Sequence, residues 1–211
     1  MPSRRSSSPE STGHRKLKTR RMAPVLGIAV LVLVYGCADG RKVTAVLTVP
    51  NGGPWGDWHP IEMCPDRQYA VGFSLKVDPP EGIADDTSLN GIRLVCAGPN
   101  KENQRTIESG VGKWGAWTLV SWCPGGFMRK CVLRVDPYQG YFYDDTAASN
   151  IKVFCTHQAT LEGSGHAWGS YDDQTGRCKK GICGLQTRID PARWFTDQTG
   201  LNDVRMFCCD D

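Results

Sequence analysis

The chain has 211 residues and a formal net charge of +3, enough for one sizeable domain or two small ones. The first 38 residues hold seven basic side chains and one acidic. Without them 18 basic and 21 acidic groups remain, a net of −3. No basic stripe is left to track phosphates, so nucleic acid is excluded as a partner.

Residues 1–38 read as a basic leader plus signal peptide. Arg4, Arg5, Arg15, Lys16, Lys18, Arg20 and Arg21 precede an apolar run from Ala23 to Tyr35, followed by Gly36-Cys37-Ala38. That order describes a secretory signal cut after Ala38. Met22 is an alternative start. The run is 13 residues, short of the ~20 that span a bilayer, so no membrane attachment is expected after cleavage. Nine of ten cysteines remain in residues 39–211, and behind a signal they predict a disulfide framework in a secreted, extracellular protein. Zinc would need paired Cys or His spacings that do not occur, and no Asn-x-Ser/Thr sequon is present.

Residues 39–211 read as a single domain of three copies, at about 43–98, 110–157 and 165–211. Trp55 and Trp114, Cys64 and Cys123, and Asp85 and Asp144 all lie 59 residues apart; Trp168 opens a more compact third copy, 54 residues after Trp114. Each copy alternates apolar and polar residues with period two, as in Val71, Phe73, Leu75 and Val77 and then Ile92, Leu94 and Cys96. This predicts antiparallel strands with one face in a core. The pairs Asp78-Pro79, Asp136-Pro137 and Asp190-Pro191 end the middle strand of each copy. The fold class is therefore all-β, and three sheets around one core make a three-sided prism.

The cysteines repeat with the copies. Cys64–Cys96 and Cys123–Cys155 are separated by 32 residues and Cys178–Cys208 by 30. One bridge per copy is expected to tie the start of each sheet to its last strand, contributing ~3–4 kcal/mol each. Cys183–Cys209 makes a fourth, with the swap of 178 to 209 and 183 to 208 open. Cys131 is left as a free thiol at an inward position equivalent to Phe73.

The candidate ligand-binding residues are the acidic turns: Asp85, Asp86, Asp144, Asp145 and Asp197. Such carboxylates accept hydrogen bonds from sugar hydroxyls; they also cap turns, and threefold repetition favours that structural role over catalysis, which needs one asymmetric pair. The aromatic motifs supply Trp55, Trp58, Trp114, Trp117, Trp168 and Tyr171. Their flat faces suit a sugar ring, but the reading preferred is that they cap the core of each sheet. His59, His157 and His166 show no metal-ligand spacing, no hydrolase or nucleotide motif occurs, and neither catalytic residues, metal nor cofactor is expected.

The segments "GGPWGDW", "GFSLKV", "DDTSLNGIRLVC", "KGICGLQT" and the terminal "FCC" resemble the vitelline membrane outer layer protein I family, from about Val43 to Asp211. The resemblance implies a type I β-prism of three Greek-key, four-stranded sheets with pseudo-threefold symmetry. It also implies a secreted protein of the outer layer of the egg's vitelline membrane, whose partners are other extracellular matrix or egg-coat proteins, and glycans. Cys131 departs from the family's apolar residue. Oligosaccharide binding or transfer is ascribed to family members, and their prism resembles that of jacalin-like lectins, though the free N-terminal glycine and acidic loop of those lectins have no counterpart here. The leading expectation is a non-enzymatic structural component of an extracellular coat. The alternatives are a carbohydrate-binding module, or a weak glycosyl-transferring enzyme, acting on N-acetylglucosamine-containing oligosaccharides.

Overall fold

The computed structural model describes residues 41–79, 87–136, 148–190 and 199–211. These form fourteen strands and a single turn of 3-10 helix at Thr156–Gln158. In chain order the strands are β1 (Val43–Thr48), β2 (Asp57–Trp58), β3 (Glu62–Met63), β4 (Tyr69–Val77), β5 (Leu89–Ala97), β6 (Arg105–Glu108) and β7 (Ala116–Trp117). There follow β8 (Ser121–Trp122), β9 (Met128–Val135), β10 (Ala148–Cys155), β11 (Thr160–Glu162), β12 (Ser170–Tyr171), β13 (Gly181–Ile189) and β14 (Leu201–Cys209).

Three antiparallel sheets result, each built on one long hairpin. The first has the order β6-β5-β4-β7, with β8 also on β4; the second is β11-β10-β9-β12; the third is β1-β14-β13-β2, with β3 also on β13. The domain is a β-prism. Alternation sets the inward faces: Phe73, Leu75, Ile92 and Leu94 from the first hairpin, Cys131, Leu133, Ile151 and Val153 from the second, and Leu185, Val204 and Met206 from the third share one core. Burying each large aliphatic or aromatic side chain contributes about 1.5–3 kcal/mol. Thr187 takes the inward position that Leu75 and Leu133 hold in the other hairpins, and its hydroxyl donates to the Gly110 carbonyl at 2.7 Å.

The sequence copies and the sheets do not coincide, which corrects the expectation that each copy builds its own sheet. The short aromatic arm that opens a copy pairs with the hairpin of the copy before it. Trp58 on β2 lies opposite Arg188 on β13, Trp117 on β7 opposite Lys76 on β4, and Tyr171 on β12 opposite Arg134 on β9. The reason is the corner between arm and hairpin. After β3, Cys64 still donates to the Cys183 carbonyl, and a tight turn then starts the next sheet, with Gln68 N–H bonded to the Pro65 carbonyl and Arg67 at φ 59°.

The bridges change meaning accordingly. Cys64 sits on the third sheet and bonds Cys96 on the first. Cys123, whose N–H reaches Val71, sits on the first and bonds Cys155 on the second. Cys178, whose N–H reaches Arg129, sits on the second and bonds Cys208 on the third. Each therefore joins two neighbouring sheets rather than closing one. Cys183–Cys209 alone stays within a sheet, across β13 and β14.

The two ends of the described domain meet. The Arg41 side chain is only 3% exposed; its guanidinium pairs with the Asp211 carboxylate at 3.0 Å and donates to the carbonyls of Pro65 and Gln68. The Tyr69 hydroxyl and the Lys180 ammonium donate to the Asp211 carbonyl.

Candidate functional site

Asp85, Asp86, Asp144, Asp145 and Asp197 lie outside the described residues. The aromatic arms next to the strand ends that lead into those segments are described, and they carry the candidate site.

Each arm bends at a glycine in the left-handed region: Gly56 at φ 75°, Gly115 at 80° and Gly169 at 71°. Only glycine fits there. A Cβ would stand 2.2 Å from the Ile189 carbonyl oxygen, 2.4 Å from the Val77 carbonyl carbon and 1.9 Å from the Val135 carbonyl oxygen. A cation from the adjoining hairpin then fastens each arm by its carbonyls. Lys76 Nζ donates to Gly112 and Lys113 at 2.8 and 2.9 Å; Arg134 Nε donates to Gly169 at 3.0 Å; Arg188 Nε donates to Gly56 at 2.9 Å. Sequence reading overlooked these three residues. The signal was a basic residue two places before Asp-Pro in every copy.

The aromatics are not core caps. The second of each arm, Trp58, Trp117 or Tyr171, lies half-buried on the outer face, beneath a cation from the hairpin's other strand. Arg205 sits 3.9 Å from the Trp58 ring centre, Arg93 3.9 Å from Trp117 and Lys152 4.2 Å from Tyr171. The first of each arm is more open: Trp55 is 54% and Trp114 43% exposed, with Trp168 half-buried. The inward positions are already filled by the apolar side chains of the hairpins, so the arms, added at sheet edges, turn their rings outward.

The three copies diverge in electrostatics. In the second sheet the Tyr171 hydroxyl donates to Glu162 at 3.0 Å, and burial together with that carboxylate pushes its pKa up. In the third sheet Asp203 replaces the Gly91 and Asn150 of the other copies. Burial raises its carboxyl above 3.8, against the opposing pull of the Val204 N–H and of Arg205 and Arg188. Beside Tyr171 an open depression of ≈ 540 Å³ is lined by Asn51, Val135, Ser170, Asp172, Asp173 and Gln174. Its acidic groups are engaged: Asp173 with Lys130 at 2.8 Å, Asp172 with the Gln174 N–H at 3.0 Å.

Among the described residues no cluster of three or more His, Cys, Asp or Glu side chains is placed to hold a metal. His166 instead stacks on Trp168, centroids 4.3 Å apart at 10°, and its Nε2 lies 2.7 Å from the Asp78 carbonyl. Cys131 is a free, buried thiol in the core, its pKa pushed up to about 12 by burial.

Comparison with known proteins places this geometry. The chain is 47% identical over 186 residues to the vitelline membrane outer layer protein 1 homolog of Mus musculus, covering 84% of this chain and 92% of the mouse protein. It is 48% identical over 195 residues to the Homo sapiens homolog, covering 89% and 96%. Among solved structures, Calsepa lectin in complex with a bisected glycan aligns at TM-score 0.50 with 10% identity, over 80% of this chain and 99% of the lectin. Frutapin, a lectin from Artocarpus incisa, aligns at 0.50 with 12% identity, over 80% and 97%. At such identities these two share the fold alone. Residues 45–211 match the family described as vitelline membrane outer layer protein I, and the chain belongs to that family.

Proposed function

We propose that the protein is a secreted, non-enzymatic structural component of an extracellular coat of the vitelline-membrane type. Residues 1–38 are its leader and residues 39–211 the working domain. The observation that carries the reading is the ring of bridges: each of the three sheets is covalently joined to both neighbours. Such cross-linking suits a durable block in an oxidising matrix, packed against other extracellular matrix or egg-coat proteins. Expression of the full chain in secretory cells, followed by N-terminal sequencing of the medium and by extraction of deposited matrix, tests it. The expected product begins at Asp39 and partitions into the matrix; a chain retained in the cell, or one that stays wholly soluble beside assembled coat, overturns the reading.

A second reading, carbohydrate binding, is supported by the outward tryptophans on fixed arms. In this reading Asp85, Asp86, Asp144, Asp145 and Asp197 are the candidate acceptors for sugar hydroxyls. Saturable retention of the secreted chain on N-acetylglucosamine oligomers is the expected result; a blank panel from folded protein removes it. Weak glycosyl transfer is the least supported alternative, since the sequence carries no catalytic motif.

A further inference from the structure

Resting on the carbohydrate reading, we infer that the three arms are not equivalent and that an uncharged pyranose stacks on one of them, at Trp55. Pseudo-threefold symmetry alone would give three alike platforms. The ring environments break it. Lys113 lies over the Trp114 ring at 4.3 Å, and His166 lies flat on Trp168. Among the described residues Trp55 has no stacked ring or cation, and it is the most exposed of the aromatics on the arms.

Its backbone is held on both sides. Gly53 N–H donates to the Asn202 carbonyl at 2.7 Å; the carbonyls of Gly53 and Gly56 both accept from Arg188, at 3.5 and 2.9 Å. A flat ring is thus presented by a segment that is already ordered, so a ligand meets little ordering cost. The polar neighbours fix the ligand's chemistry. Asp57 is exposed one residue past the bend, and Asp203 lies against Gly52, where a Cβ would come within 2.3 Å of its carboxyl carbon. Carboxylates accept hydrogen bonds from hydroxyls and repel anions, and Arg188 directs Nε and Nη1 at the carbonyls of Gly56 and Gly53. The site therefore suits a neutral sugar rather than a uronic or sulfated one. A protein partner would need contiguous apolar surface around the anchor. Along the chain Trp55 is flanked by Gly53, Pro54, Gly56 and Asp57, which add little apolar surface to it.

The test is calorimetric titration of the secreted chain, wild type and variants, with chitotetraose, mannotriose and a sulfated disaccharide. Trp55→Ala is expected to weaken binding of a neutral sugar by ~10- to 30-fold, with Trp55→Tyr restoring most of it and Trp114→Ala and Trp168→Ala changing it by less than about threefold. Unchanged melting temperatures exclude misfolding. Equal losses from all three alanine variants, no loss from Trp55→Ala, or preference for the sulfated probe overturn the inference while leaving carbohydrate binding standing. A wild type that binds no probe overturns both. A Trp55→Ala chain that keeps the sugar but no longer enters the deposited matrix makes Trp55 a protein contact, and also overturns it.

Discussion

The first and third sheets have the same plan and opposite origins. The first is drawn from one continuous stretch, residues 69–122, so every strand neighbour is local. The third takes β1, β2 and β3 from the start of the domain and β13 and β14 from its end. Closing a long loop costs more conformational entropy than closing a short one, though the cost grows only logarithmically. The third sheet carries extra fastening to match: a bridge of its own, Cys183–Cys209, and the Arg41–Asp211 pair beside β1 and β14. The first sheet has neither. Non-local pairing in this domain is accompanied by a covalent tie and a buried arginine, where the first sheet has the more exposed Arg93–Glu108 pair.

The sharpest way to break this comparison is to remove the third sheet's own bridge. Cys183→Ala with Cys209→Ala opens a loop of 26 residues and is expected to cost about 3 kcal/mol in urea unfolding. A cost under about 1 kcal/mol would show that the sheet is held without it. Next in size is the ionic tie. Arg41→Ala takes one charged donor from three backbone carbonyls and from Asp211, for an expected loss of about 2–3 kcal/mol. Its counterpart on the first sheet is Arg93, which pairs with Glu108 at 2.8 Å but with side chains 31% and 43% exposed. Arg93→Ala is expected to cost under about 1 kcal/mol. Equal losses would erase the distinction.

A smaller effect separates the sheets by pH. Burial raises the Asp211 carboxyl, but the hydrogen bonds from Arg41 and the Arg67 N–H outweigh it, and the net direction is below 3.8. A depressed carboxylate stabilises the fold above its unfolded value and loses that contribution as pH falls through the folded value. The stability gap between wild type and Asp211→Ala is therefore widest near neutrality and closes below 3.8. A gap that widens in acid would refute the assignment. Asp203 has the opposite sign, since its raised carboxyl is relieved, not lost, on protonation, so comparing variants isolates Asp211. The smallest change is at the core of the second sheet. With its thiol pushed up to about 12, Cys131 is expected to give no reaction with a disulfide reagent in native protein of residues 39–211 at mildly alkaline pH, and one thiol per chain after unfolding.

Period and alternation made the β class, the three copies and the shared core readable from residues such as Phe73, Leu75, Ile92 and Leu94. What they could not convey is partnership between copies. The separations of 32, 32 and 30 residues suit a bridge that closes one sheet as well as one that joins two. What decides between them is the strand that the first cysteine of each bridge rests on: Cys64 on Cys183, Cys123 on Val71 and Cys178 on Arg129. The aromatics misled for a related reason. Their size signals burial, yet Trp55 and Trp114 sit on edge arms beyond a core already filled by the apolar side chains of the hairpins. Arg188, Arg134 and Lys76 were legible as a repeat but not as anchors, because their acceptors are carbonyls, which no side-chain pattern announces.

The split third sheet also imposes an order on synthesis. β1 is the first strand of the domain to leave the ribosome and β14, its partner, the last. Cys64–Cys96 and Cys123–Cys155 can be oxidised before β14 is made, whereas Cys178–Cys208 and Cys183–Cys209 wait for that last strand of the domain. Until β14 emerges the prism stays open with β1 unpaired, and oxidant-trapped intermediates should carry two bridges before that strand is available and four soon after.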